Sequence, residues 1–416
     1  MLVYVLNIDG HPLMPTERCG KIRRLLNGNK AKVVKRCPFT IQLMYKSTTY
    51  TQDVSLGIDA GSKHIGVSAT TDDRELYAAD VELRNDITEL LSTRRESRRA
   101  RRNRKTRYRA PRFKNRKRGD NWLAPSVRAK VETHLKVVSN IHKILPISKI
   151  IVEVASFDIQ KIKNPDISGT EYQQGEQLGF WNIREYVLFR DNHTCQCCRG
   201  KSKDKILDVH HIESRKTSGD APNNLITLCE TCHTGYHKGT VKLPSSIKRG
   251  MSFKDAAFMG IMRWVFYSKL REIYPDVSLT YGYITKNTRI ENNLPKEHHI
   301  DARCISGNPL AESLEYVYYQ KKVRCHNRQI HKYKVNKGGI RKNNQAEYTV
   351  KGFRLFDVVK YGDKKYFIFG RRNSGFFDIR NLQGAKVNKG SINCKKIRFV
   401  STSNTYLTER RLTGSA

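Results

Sequence analysis

Three observations predict an α/β protein of several modules. Two apolar strands, Val54-Ser-Leu-Gly-Ile-Asp59 and Lys149-Ile-Ile-Val-Glu153, each end on an acid, as expected of a mixed sheet with helices packed on it. Between the second strand and a further acidic segment at Asp301, Cys195-x-x-Cys198 and Cys229-x-x-Cys232 bracket Val209-His210-His211-Ile212, the mark of a small metal-stapled insertion. Beyond residue 321, short aromatic strands follow one another and predict a small C-terminal β-barrel.

The composition points to a polyanionic partner, because 78 Lys and Arg face 39 Asp and Glu, a formal net charge of +39. Such an excess repels itself unless phosphates neutralise it. At 416 residues and 38% hydrophobic content the chain can build several real cores, which excludes a disordered basic tail. No window approaches the apolar run of a membrane span, and MLVYVLNIDGHPLMP lacks the basic start and long apolar stretch of a signal peptide, so the expectation is no membrane and a cytoplasmic location. Of ten cysteines, four sit in CxxC spacing while others, such as Cys19, Cys304 and Cys394, are scattered, which predicts reduced thiols and one metal knuckle.

In chain order, residues 1–52 read as a small N-terminal α+β domain, with strands at 3–7, 31–34 and 39–43 and a helix at 19–26. Residues 53–85 supply the first core segment, whose glycine turn at Ala60-Gly61 lets a phosphate or metal approach the backbone. Residues 86–120 are arginine-rich: from Arg94 to Arg118, 15 of 25 residues are basic and Glu96 is the one acid. That density predicts a helix, at least to Tyr108, which becomes ordered among phosphates through forks such as Arg94, Arg95, Arg98, Arg99, Arg101, Arg102, Arg104, Arg107, Arg109 and Arg112. The competing reading is a basic tail or localisation signal.

The second core segment spans 121–164, the insertion 165–250, flanked by linkers at Ile167-Ser-Gly-Thr and Lys248-Arg-Gly, and the third segment 251–320. There Phe258, Ile261, Met262, Val265, Phe266 and Leu270 predict an amphipathic helix over 253–273, and His298-His299-Ile300-Asp301 opens another with His298 and Asp301 on one face. Residues 321–416 carry 24 basic residues against five acids, with strands expected at 353–359, 365–369, 376–379 and 397–400. Basic and aromatic residues on strands suit phosphates and stacked bases; a structural barrel with a solvated basic face is the alternative.

Three acids and a histidine from distant segments could hold two divalent cations that activate water and stabilise a leaving oxygen of a phosphodiester. Taken singly, each has a plain reading: turn chemistry for Asp59, an arginine partner for Glu153, a surface position for His298. Together and in this order they resemble the RuvC nuclease of the ribonuclease H-like fold, split into three parts. The knuckle segment, with His210-His211, Asn223-Asn224 and His233-x-x-x-His237, resembles the HNH (ββα-metal) nuclease module. A RuvC core interrupted by an arginine-rich bridge helix and an HNH domain, behind a small domain opening with Pro12-Leu13-Met14-Pro15, resembles the IscB family of transposon-associated nucleases.

The resemblance implies an RNA-guided endonuclease that binds a structured ωRNA guide and cleaves double-stranded DNA as a monomeric ribonucleoprotein. Asp59, Glu153, His298 and Asp301 would form the RuvC centre, cutting the displaced strand with Mg²⁺ or its substitute Mn²⁺. In the HNH domain, which would cut the guide-paired strand, His211 would be the general base, His210 and His237 cation ligands with His233 as a third, and Asn224 the residue that orients the base. Cys195, Cys198, Cys229 and Cys232 would hold structural Zn²⁺, with Cys197 left over. The sequence departs from the family at Ala60, where proline is frequent. Two other classes fit parts of the pattern: an unguided mobile-element HNH/RuvC endonuclease, and a non-enzymatic basic nucleic-acid-binding protein, ribosomal or architectural.

Overall fold

A computed structural model describes residues 2–103, 122–154, 180, 182–213, 222–247, 254–323, 334–335, 337–342, 346–403 and 405–413. Residues 1–155 with 262–416 form one compact unit and residues 156–261 another. The expected linkers at 167–170 and 248–250 lie outside the described residues.

The first unit begins with β1 (Val3–Leu6), β2 (Pro12–Thr16), α1 (Cys19–Asn27), β3 (Ala31–Arg36) and β4 (Phe39–Leu43), a sheet ordered β2-β1-β4-β3. Ile22 of α1 packs on Val3, Val5, Ile41 and Leu43, a core large enough for one helix on one sheet. The Pro12-Leu13-Met14-Pro15 segment is the edge strand β2, a position where proline's missing N–H costs no ladder bond.

The large sheet uses β5 (Ser55–Ala60), β6 (His64–Thr70) and β7 (Glu75–Glu82) as an antiparallel meander. Next come α2 (Ile87–Asn103), α3 (Pro125–His142) and β8 (Lys149–Val154), which runs parallel to β5. The second unit supplies α4 (Ile183–Arg190), β9 (Leu207–His211), β10 (Leu225–Cys229) and α5 (Glu230–Lys238). Then α6 (Lys254–Ile273), β11 (Val277–Tyr281), α7 (Gly282–Glu291), α8 (His298–Ile305) and β12 (Tyr316–Lys322) complete the third core segment. Along α6 the buried stripe is Met262, Arg263, Phe266 and Leu270, whereas Ile261, expected in the apolar face, is 52% exposed.

A short pair, β13 (Lys334–Val335) and β14 (Arg341–Lys342), precedes β15 (Val358–Tyr361), β16 (Lys364–Arg371), β17 (Phe376–Arg380), β18 (Ile392–Asn393), β19 (Arg398–Ser401) and β20 (Tyr406–Leu412). Strands β15 to β19 form a five-stranded antiparallel sheet, whereas β20 pairs with β12 as the edge of the large sheet, ordered β11-β8-β5-β6-β7-β12-β20. Period-two alternation splits the small sheet's faces: Val359, Ile368 and Phe377 build its own core, while Phe367 and Val358 pack with Leu407 and Tyr319 of the large sheet's edge. The strand expected from Phe353 starts only at Val358, because Phe356 stands at φ +70°, which breaks an extended run.

Helix α8 lies against β5 and β6 so closely that side chains are excluded. A Cβ on Gly57 would stand 2.0 Å from the Ala302 carbonyl oxygen, and one on Gly66 would stand 1.9 Å from the His298 carbonyl oxygen. Gly66→Ala must push α8 off the sheet, so a loss of about 3 kcal/mol is expected, at the upper end of overpacking costs. Urea unfolding of the variant checks this, and an unchanged midpoint would contradict the close contact.

His134 of α3 is fully buried against Phe266 of α6, ring centroids 5.0 Å apart, with Nδ1 donating to the Lys130 carbonyl at 2.8 Å and Nε2 without a partner. Burial pushes its pKa down to about 4. The unfolded chain therefore takes up the proton first as pH falls below about 6.5, and the loss of stability approaches about 3 kcal/mol near pH 4. His134→Leu is expected to flatten that part of the profile, measured as the difference between the two proteins' unfolding midpoints from pH 7.5 to 4.5.

Candidate metal centres

In the first unit the centre is built by register. Ile58 of β5 stands opposite Val152 of the parallel neighbour β8, so the residues that follow, Asp59 and Glu153, emerge side by side. Both carboxylates are buried. Across the sheet face, the first turn of α8 brings His298, whose Nδ1 donates to Asp59 Oδ2 at 2.8 Å, and Asp301 three residues on. His299 leaves the other side of the helix and meets Asp80 of β7 at 3.2 Å, so it takes no part in this cluster.

Glu153 also has the arginine partner that its plain reading foresaw. Arg263 of α6, 8% exposed, sets Nη2 3.0 Å from Glu153 Oε1 and 3.8 Å from Asp59 Oδ1, and its Nε donates to the Ala60 carbonyl at 2.8 Å. Arg289 Nε lies 2.9 Å from Asp301 Oδ1 without hydrogen-bond alignment, which leaves that oxygen a buried acceptor with no hydrogen bond. Burial, then the charge of Asp59, raises the pKa of both Glu153 and Asp301, while the hydrogen bond to Asp59 raises that of His298. An oxygen-rich site of crowded carboxylates with an unsatisfied acceptor fits a hard divalent cation such as Mg²⁺ or Mn²⁺. Gly61 has a different reason from the expected one: a Cβ there would stand 2.2 Å from the His64 carbonyl oxygen, so it is the β5–β6 turn that requires glycine.

The second unit holds two clusters. Cys195, Cys198, Cys229 and Cys232 gather their sulfurs within 4.8 Å of one another, and Cys198 Sγ lies 3.7 Å from Cys229 Sγ. A tetrahedral Zn²⁺ with bonds of about 2.3 Å needs sulfurs roughly 3.8 Å apart, so the four thiols fit. Cys197 instead points its sulfur at the Lys242 carbonyl, 4.0 Å away, which removes it from the set. Hydrogen bonds from Ser202 pull the Cys198 thiol down to about 6, while burial and the neighbouring sulfurs push Cys232 up.

His210, His233 and His237 form the other cluster, their ring nitrogens within 4.8 Å of one another. His233 and His237 lie four residues apart on α5 and face the hairpin of β9 and β10, where His210 stands opposite Ile226. Their Nε2 atoms are 3.1 Å apart, near the roughly 3.3 Å that one tetrahedral ion at about 2.0 Å from each would impose. Asp208 Oδ2 accepts from His233 Nδ1 at 3.2 Å, leaving Nε2 for a ligand, and His210 Nε2 is buried with no partner. Burial, then the other histidines, pushes His210 down to about 4 and keeps it neutral, the form that binds metal. Three imidazoles suit zinc and later first-row ions better than Mg²⁺, so the donor set does not fit the Mg²⁺ expected here.

His211 is the next residue of β9 and leaves from the opposite face of the strand, outside the three-imidazole cluster. Asn224 is fully buried and brackets Glu213, accepting from its N–H at 2.9 Å and donating to its carbonyl at 3.0 Å. It fixes the backbone two residues past His211 and makes no printed contact with the imidazole itself. On α2, Arg94, Arg95, Arg98 and Arg99 are exposed, Arg101 and Arg102 fall in the last turn, and Arg104, Arg107, Arg109 and Arg112 lie outside the described residues.

Two of these residues escaped the sequence reading though a signal existed. Asp208 stands two before His210, on the same face of β9, and Arg263 stands three before Phe266, a charge inside an apolar stripe.

Residues 3–175 match the family described as RRXRR protein, and residues 195–239 match HNH endonuclease. Among solved structures, the chain is similar to Streptococcus thermophilus Cas9 in complex with AGGA PAM, at 15% identity and a TM-score of 0.30 over 44% of this chain and 26% of that one. It is also similar to Streptococcus thermophilus Cas9 in complex with the AGAA PAM, at 11% identity and a TM-score of 0.32 over 61% of this chain and 32% of that one. The chain thus spans about a quarter to a third of these solved chains, at 26% and 32% of their length. No curated protein matches it. Among the described residues, no helix is long and apolar enough to cross a membrane.

Proposed function

The chain carries an HNH endonuclease domain, a unit built to cleave nucleic acid, and from that premise we propose that it is an RNA-guided DNA endonuclease of the IscB kind. Residues 54–154 with 262–322 act as a split, ribonuclease H-like RuvC core, α2 as the start of an arginine-rich bridge helix, and the C-terminal sheet as a barrel-like module contacting guide and target. The observation that carries this reading is the pairing, in one strongly basic chain, of two metal-competent centres with different donors: carboxylates at Asp59, Glu153 and Asp301, and imidazoles at His210, His233 and His237. An unguided HNH enzyme has no use for the first, and a passive binding protein has no use for either.

Divalent cations bound at the two centres would supply Lewis-acid stabilisation of the phosphodiester and an acidified water. His211, outside the ligand set, keeps a lone pair for a water proton at neutral pH, and Asn224 steadies the backbone beside it. Asp208 holds His233 in the tautomer that presents Nε2. In the core, His298 holds Asp59 by a charge-assisted hydrogen bond while Asp301 offers its unsatisfied oxygen. The HNH centre cuts the guide-paired strand and the core cuts the displaced strand, in a monomeric cytoplasmic ribonucleoprotein with ωRNA, the reading that the charge of +39 favours.

Purification from cells carrying the native locus, followed by sequencing of the nucleic acid that accompanies the protein, tests guidance. One abundant structured RNA is expected. A random mixture of cellular RNA and DNA would favour the unguided reading.

A further inference from the structure

Within the core centre, Arg263 occupies a position usually left for a cation that arrives from solution. Its guanidinium stands between the carboxylates of Asp59 and Glu153, at 3.8 and 3.0 Å, while the Nε bond to the Ala60 carbonyl ties it to the residue next to Asp59. At 8% exposure the side chain has already lost its water, and its stem packs in the buried stripe of α6 with Met262 and Phe266. A planar guanidinium held at both ends has little freedom to leave, and removing one partner of a buried ion pair strands the other charge.

The opposite side of Asp59 differs. Between Asp59 and Asp301 no guanidinium is wedged: Arg289 touches Asp301 Oδ1 without hydrogen-bond alignment, and that oxygen remains a buried acceptor lacking a hydrogen bond. One side of the cluster is therefore neutralised by the protein itself, and the other is left for a ligand.

We propose that Arg263 is a resident cation that replaces one of the two divalent ions a three-carboxylate phosphodiesterase centre would take, so that this centre binds a single divalent cation, between Asp59 and Asp301. This rests on the reading of Asp59, Glu153 and Asp301 as a cation centre. A dication on the Glu153 side would stand in contact with a buried positive charge, so the vacancy there is closed electrostatically as well as sterically. Arg263 acts as a positioning residue: it keeps Asp59 and Glu153 ionised and converged before any metal arrives.

The experiment counts Mn²⁺ on the zinc-loaded full-length protein by electron paramagnetic resonance, comparing the unmodified chain with Asp59→Asn, Arg263→Met and Arg263→Lys. Asp59→Asn is expected to lose one Mn²⁺ per chain, and the unmodified protein to show no spectrum of a spin-coupled Mn²⁺ pair. Arg263→Met is expected to gain a second ion and the coupled-pair spectrum, and Arg263→Lys, which keeps the positive charge, to stay at one. A loss of two ions in Asp59→Asn, or a coupled pair in the unmodified protein, would overturn the role of Arg263 while leaving the centre standing. No loss at all in Asp59→Asn would overturn the centre and the proposal with it. The count on the unmodified chain decides even if Arg263→Met does not fold.

Discussion

Asp59→Ala in the guide-loaded protein cuts one strand of a duplex target and leaves the other whole, and His211→Ala leaves the complementary nick. The first change removes a carboxylate that His298 holds at 2.8 Å and that Arg263 neutralises, so the core centre loses its shared ligand without touching the histidine cluster. The second removes a base standing outside the ligand set, so the three imidazoles and four thiols of the HNH domain remain intact. A positioned general base contributes about 10²–10⁴ in rate, and a shared cation ligand is expected to contribute at least as much. Strand-specific end labels on a denaturing gel read both outcomes. If either change stops both cuts, or neither slows any, the division of labour between the centres is wrong.

The largest expected effect on stability is removal of the metal held by Cys195, Cys198, Cys229 and Cys232. Around those thiols the apolar core is small: Ile226 and Leu228 are its buried aliphatic members, with Leu207, Ile212, Leu243 and Ile247 partly covered. A core of that size does not sustain a fold alone, whereas a structural zinc site contributes about 10 kcal/mol or more of folding energy at neutral pH. Chelation of zinc, or Cys232→Ser, is therefore expected to unfold residues 195–243 while β5 to β8 stay protected. Hydrogen exchange with peptide resolution checks this. Protection of β9 and β10 that survives proven loss of zinc would show that the thiols are bystanders.

What the sequence made legible was chemistry with a fixed spacing. CxxC pairs, a His-x-x-x-His on one helix face and an Asp at a strand tip follow from local periods of 3.6 and 2, which need no knowledge of the rest of the chain. Less legible was everything that depends on partners across the sheet. Arg263 looks like an interruption of an apolar stripe until α6 is laid beside β5 and β8. The need for glycine at 57 and 66 is invisible until α8 lies on them. The return of β20 to the large sheet could not be read at all, because its alternation is the same in either sheet. The strand lost at Phe356 shows the converse, a local backbone angle overriding a strong aromatic propensity.

The strands on either side of the spliced segment, β8 and β11, are direct parallel neighbours, paired from Ile150 with Val277 to Val154 with Tyr281. Any parallel pair requires an overhead connection of a dozen residues or more, and α6 already supplies a helix of the right kind for it. The ladder of the large sheet is thus indifferent to what is threaded between residues 155 and 253. That junction is a natural cassette boundary, where a cutting module can be lost, exchanged or lengthened during descent without rewiring the host fold.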